Sequence, residues 1–217
     1  MTNLKRWRAS FPIVELERPA GFTTHERVRD ALHQLSSRLT LKPRAPTPIV
    51  IVPARYLPQG LQGVFNPELG VIRVCLSALH PALTTVHEVM HALDARSDAT
   101  WSSGTDLSRV WRTRVVASPA MARLEHFDGK TRYYRRTEEL FARLLEQWMA
   151  DAFPAEWAEQ AMQGVKQGLY WSPDEFSQIR KPFERALRGC GIGITRRTVE
   201  DAERSLSDPR DGESVVQ

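Results

Sequence analysis

TTVHEVMHAL, residues 84–93, decides the reading of this chain. It holds an HExxH pattern in which Glu88 is the only acidic or basic residue besides the histidines, and Leu83, Val86, Met90 and Leu93 recur at helical spacing. That pattern predicts a buried helix. Residues four apart leave a helix on one face, so the imidazoles of His87 and His91 converge on a single ion. Tetrahedral zinc takes such nitrogens, and Glu88, one step round from His87, is placed as the general base for a water at the same site. HExxH arises by chance in roughly one chain in a hundred of this histidine content, so the helical context carries more weight than the pattern.

Catalytic zinc takes three side chains and keeps one position open, so a third ligand is needed. The short-spaced solution, a turn glycine followed by a His or Asp six residues past the second His, fails because those positions hold Asp94 and Ser97; Asp98 is a weak fallback. The long-spaced solution is a glutamate from a second helix. Residues 137–149, TEELFARLLEQWM, fit it, with Thr137 as cap and Leu140, Phe141, Leu144, Leu145 and Trp148 on the buried side. Glu139 near the start of that helix is placed to ionise and ligate. The plainer alternative is that Glu138 and Glu139 only complement the helix dipole.

HEVMHALD (residues 87–94) and YRRTEELFARLL (residues 134–145) together resemble the gluzincin metallopeptidases related to anthrax lethal factor and Mlc titration factor A, and zincin domains of phage and plasmid proteins. The resemblance spans roughly residues 48–150 and is specific at the two motifs. It implies a zincin-like fold, one Zn²⁺ per chain and peptide hydrolysis. The family's glutamate ahead of an apolar-Phe-Ala triplet maps onto Glu139, making His87, His91 and Glu139 the ligands. A tyrosine ahead of that glutamate implies Tyr134 as the oxyanion donor, with Tyr133 in reserve. Where the family often carries an acid four residues after the ligand glutamate, this chain has Arg143. Asp94, seven residues past His87 on nearly the same face, is the other candidate to support the site, orienting an imidazole or pairing with Arg143.

Upstream, the β-branched run PIVIVP (residues 48–53) reads as a buried strand, and GVFN and GVIRVCL (residues 63–66 and 70–76) read as a hairpin across a turn at Asn66 and Pro67. In the resembled families the strand before the HExxH helix rims the cleft and pairs with substrate, which makes Val71, Arg73 and Cys75 candidate substrate contacts; a plain core hairpin is the alternative. Thr23 and Glu26 form a capping box for a helix bearing Val28, Leu32, Leu35 and Leu39. Short periodic pieces stand at residues 110–116 and 121–127. The C-terminal third holds helices at residues 155–169 and 172–187, the latter announced by Ser172-Pro173-Asp174-Glu175.

The expected architecture is α+β: one zincin-like domain over residues 1–198, a small mixed sheet packed on the HExxH helix, a mostly helical C-terminal half, and a polar, disordered tail over residues 199–217. With 217 residues, 41% of them hydrophobic, the chain buries a sizeable core. No apolar run is long enough for a membrane span and no secretory leader is apparent, so a cytoplasmic location and no membrane partner are expected. Two cysteines, Cys75 and Cys190, point to a reducing compartment more than to a disulfide scaffold. The net charge of +4 is modest. Arg109, Arg112, Arg114, Arg123, Lys130, Arg132, Arg135 and Arg136 cluster between the zinc segments, either as a solvated face or as an attractor of acidic substrate. No nucleic-acid-binding signature accompanies them. The expected function is peptide hydrolysis on a peptide or protein substrate. The rival is a zinc-binding regulatory module of a mobile genetic element that keeps the fold without cleaving.

Overall fold

The computed structural model describes residues 2–15, 22–42, 45–95, 106–125, 131–150 and 155–195. Helix α1 (Asn3–Ser10) starts at Thr2, whose hydroxyl accepts the Lys5 N–H, and leads into strand β1 (Ile13–Glu15). Helix α2 (Phe22–Arg38) begins ahead of the Thr23 and Glu26 pair and buries Val28, Leu32 and Leu35. Strands β2 (Leu39–Thr40), β3 (Ile49–Val52), β4 (Gly63–Asn66) and β5 (Val71–Cys75) follow. The expected motif helix is α3 (Pro81–Ala95). Helices α4 (Asp106–Val116), α5 (Pro119–Glu125) and the single-turn α6 (Thr131–Tyr134) lead to α7 (Thr137–Ala150), the second expected ligand helix. Helices α8 (Ala155–Lys166) and α9 (Pro173–Gly189) and strand β6 (Gly193–Ile194) complete the described chain. The expected tail at residues 199–217, together with Lys130 of the basic cluster, lies outside the described residues.

The architecture is mixed α+β, and its four-stranded sheet runs β1-β3-β5-β4, parallel but for β4. The β4–β5 hairpin forms as expected. Gly70 takes φ of 62° in its turn, where a side chain would be strained, and the Asn66 carboxamide oxygen accepts the Leu69 N–H. Strand β5 is not an edge, however. Arg73 pairs with Val50 on one side and Val64 on the other, so both rows of β5 backbone groups are used. Pairing with an extended peptide requires a free row. Val71, Arg73 and Cys75 are therefore not placed for it, and Cys75 is buried with Val52 and Leu57. The edges of this sheet are β1 and β4, and β4 is the edge that packs on α3.

Helix α3 lies against β4 and β5 and is flanked by α2 and α7. Its Leu83, Val86, Met90 and Leu93 are buried, as the spacing predicts, and Val89 is buried with them. The core continues through aromatic contacts: Trp111 of α4 stacks on Phe141 of α7 at 5.2 Å, and Phe141 meets Phe183 of α9 edge-on at 5.3 Å. The Ser172–Glu175 capping box starts α9 as expected. Among the described residues no helix is long and apolar enough to cross a membrane.

Candidate metal centre

On α3 the four-residue spacing brings the Nε2 atoms of His87 and His91 to 3.0 Å from each other. The Glu139 carboxylate of α7 faces both: Oε2 is 3.3 Å from His87 Nε2 and Oε1 is 3.4 Å from His91 Nε2. These three residues form a cluster able to hold a metal ion. The fit is close in physical terms. Ligand bonds of about 2.0–2.1 Å in tetrahedral geometry hold donor atoms about 3.3 Å apart, close to the spacing present here. Two imidazole nitrogens and two carboxylate oxygens aimed at one point set lone pairs against each other unless a metal ion or shared protons lie between them. Two histidines and one carboxylate also suit zinc chemistry, although the donor set alone does not name the ion.

Glu88 stays outside this ligand set. Its carboxylate is buried, and Oε2 accepts the backbone N–H of Phe65 at 2.7 Å. In the antiparallel ladder Val64 is the residue facing Arg73, so the Phe65 N–H points away from β5, to the open edge. Burial raises the Glu88 pKa, against the lowering effect of His87, His91 and the Phe65 N–H. The carboxylate is thus more basic than an exposed glutamate. Gly63 allows this approach, since a Cβ there would meet the Thr84 methyl at 2.5 Å and the Glu88 Cγ at 3.1 Å.

Behind His87 stands a residue absent from the sequence reading. Glu146 Oε2 lies 3.3 Å from His87 Nδ1 and accepts the Tyr170 hydroxyl at 2.8 Å. An acceptor at Nδ1 fixes the tautomer that leaves Nε2 free to ligate. Burial alone would lower the His87 pKa; the charge of Glu146 and the hydrogen bonds to Glu139 and Glu146 outweigh it and raise it. For Glu139 the order is reversed: burial would raise its pKa, and the two histidines hold it well below the carboxylate range. Glu146 follows Glu139 by seven residues on one face of α7, the spacing that could have revealed it.

Arg143 is buried beside these acids. Its guanidinium donates to the carbonyls of Glu139, Leu169 and Tyr134, fastening the segments before and after α7 to that helix. Burial lowers its pKa against the raising effect of Glu139 and Glu146. Asp94 is buried and lines the cleft with His91; burial, and then the charge of Asp94, push the Cys190 thiol up to about 12. The two tyrosines exchange their expected places. Tyr133 lines the cleft in hydrogen-bonding contact with Glu139, and burial followed by that contact raises its pKa. Tyr134 packs on the core with its ring 5.3 Å under the Arg143 guanidinium. Arg136 stands 5.6 Å over the Tyr133 ring.

Of these residues, Glu88, His91, Asp94, Tyr133, Arg136 and Glu139 line a cleft of about 500 Å³ walled by β4, α3 and the start of α7. Edge backbone, the Glu88 carboxylate, two of the three donor residues and a phenol therefore share one opening. No family model, curated protein or solved structure matches the chain.

Proposed function

We propose that the chain is a zinc-dependent peptidase of the gluzincin type with a zincin-like fold, acting on a peptide or protein substrate. The observation that carries the reading is the convergence of His87, His91 and Glu139 at 3.0–3.4 Å with the separate, more basic Glu88 carboxylate on the same cleft. His87, His91 and Glu139 would hold the ion. Zinc, when bound, supplies a Lewis acid that brings the pKa of water from about 15.7 towards 7 and polarises a carbonyl.

The remaining steps belong to the side chains. Glu88 takes a proton from the attacking water and passes it to the amine that leaves as the C–N bond breaks. Tyr133 donates to the oxygen that gains charge on the scissile carbonyl. The open edge at Gly63 and Phe65 pairs with extended substrate backbone, and Glu146 keeps His87 in place.

The rival, a zinc-binding module that does not cleave, has one observation on its side. The Phe65 N–H already occupies Glu88 Oε2, so substrate must share or displace that bond. A zinc-loaded preparation incubated with a peptide library tests the reading. New termini that disappear with a chelator and return with added zinc are the expected result; an unchanged library at full zinc occupancy favours the rival.

A further inference from the structure

A second cavity, of about 270 Å³, opens on the Nδ1 side of His87. Leu79, Leu83 and Leu169 supply apolar wall, Gln167 stands exposed at its rim, and Glu146 and His80 line it as well. Its polar groups are incompletely used. Glu146 is more than nine-tenths buried, and its bonds with Tyr170 and His87 both go to Oε2; among the described residues none reaches Oε1. The Nδ1 of His80 is buried without a hydrogen-bond partner. The His80 nitrogen is a buried polar atom left unpaired, which is costly, and Glu146 Oε1 is an acceptor with no protein partner among the described residues, so the cavity favours a guest that donates hydrogen bonds.

Position relates this cavity to the cleft. Thr84 lines it, and the Thr84 methyl is the atom that a Cβ on Gly63, a cleft residue, would strike. One side chain therefore separates the two spaces, and an extended peptide that rises about 3.3 Å per residue along the β4 edge reaches both. Leucine walls suit an aliphatic stem. A carboxylate oxygen suits a head that only donates, and Lys and Arg are the side chains that combine the two.

We infer that this cavity is a subsite for a lysine or arginine side chain of the substrate, received by Glu146 Oε1. The word substrate rests on the peptidase reading; the chemistry of the cavity does not. Butylguanidinium and its neutral counterpart pentanol, titrated into the full chain with the amides of Gly164, Gln167 and Leu169 followed by NMR, test it. Butylguanidinium should bind at least tenfold tighter than pentanol, and Gln167→Lys, which adds a cation at the exposed rim, should weaken it at least tenfold. Pentanol binding as tightly, no shift with either probe, or no effect of Gln167→Lys would overturn the subsite. A cleavage profile then separates the two claims: cleavage without a Lys or Arg preference at any position overturns the subsite alone. Butylguanidinium binding in a protein that cleaves nothing supports the cavity's chemistry and overturns the peptidase reading.

Discussion

Glu146 Oε2 lies 3.3 Å from His87 Nδ1, so the imidazole that faces Glu139 through Nε2 is held from behind by a second carboxylate of the same helix. Partners of this kind raise ligand basicity and fix ring orientation, and their loss typically costs 10–100-fold in metal affinity. Glu146→Ala should weaken zinc binding by about that factor, measured by competition with a chelator, and Tyr170→Phe by less. An unchanged affinity in Glu146→Ala would show that the His87 ring is held by other means.

The tyrosines give a kinetic prediction. Tyr133 is on the cleft beside Glu139, whereas Tyr134 lies under Arg143 against the core. A donor used only as charge develops lowers the barrier without aiding binding. Tyr133→Phe should cut kcat by about 10² to 10³ with KM and zinc retained, and Tyr134→Phe should lower the thermal midpoint with near-normal turnover. Steady-state rates that fall in Tyr134→Phe and hold in Tyr133→Phe would reverse the two roles.

Why the sequence separates some of these features and not others has a physical reason. Helix α3 and the Glu139 helix α7 are legible because apolar period and ligand spacing act within one element. The β4–β5 hairpin is legible because its turn is local. Strand order is not: β5 becomes interior only through pairing with β3, and nothing within residues 70–76 records that partner. Tyr133 and Tyr134 sit in the four-residue helix α6, too short for periodicity to say which phenol faces inward. Glu146 does lie at a visible spacing from Glu139. Its role, though, depends on the loop after α8 bringing Tyr170 to it, with Gly164 the place where a side chain would collide with that ring.

Gly63 offers a test of the packing between edge strand and motif helix. A methyl there enters space held by Thr84, Glu88 and the Arg73 carbonyl, so β4 must move from α3. Overpacking of this kind costs about 1–3 kcal/mol. Gly63→Ala should lower the midpoint of thermal unfolding by several degrees and reduce turnover by displacing the Glu88 carboxylate. A midpoint and a rate equal to wild type would mean that the strand has slack that the structure does not show.

Glu175 gives the pH dependence. Its carboxylate accepts the N–H groups of Ala120 and Ser172 and pairs with Arg123 at 2.7 Å. Burial would raise its pKa, and Arg123 with Ser172 more than offset that, leaving it below its ordinary 4.5. A lowered carboxylate pKa adds stability that is fully present above the unfolded value and is lost as pH falls through the folded one. Loss of the capping interaction costs about 1 kcal/mol. In chemical denaturation, wild type should exceed Glu175→Ala by about this much at pH 6, and the gap should shrink towards pH 3. A gap that widened on acidification would contradict the assigned sign.

The most direct test is Glu88→Gln, because it removes the proposed base and leaves His87, His91 and Glu139 in place. The variant should bind close to one zinc per chain and unfold at the wild-type temperature, yet hydrolyse peptide some 10² to 10⁴ times more slowly. Hydrolysis at the wild-type rate by the zinc-loaded variant would contradict the account.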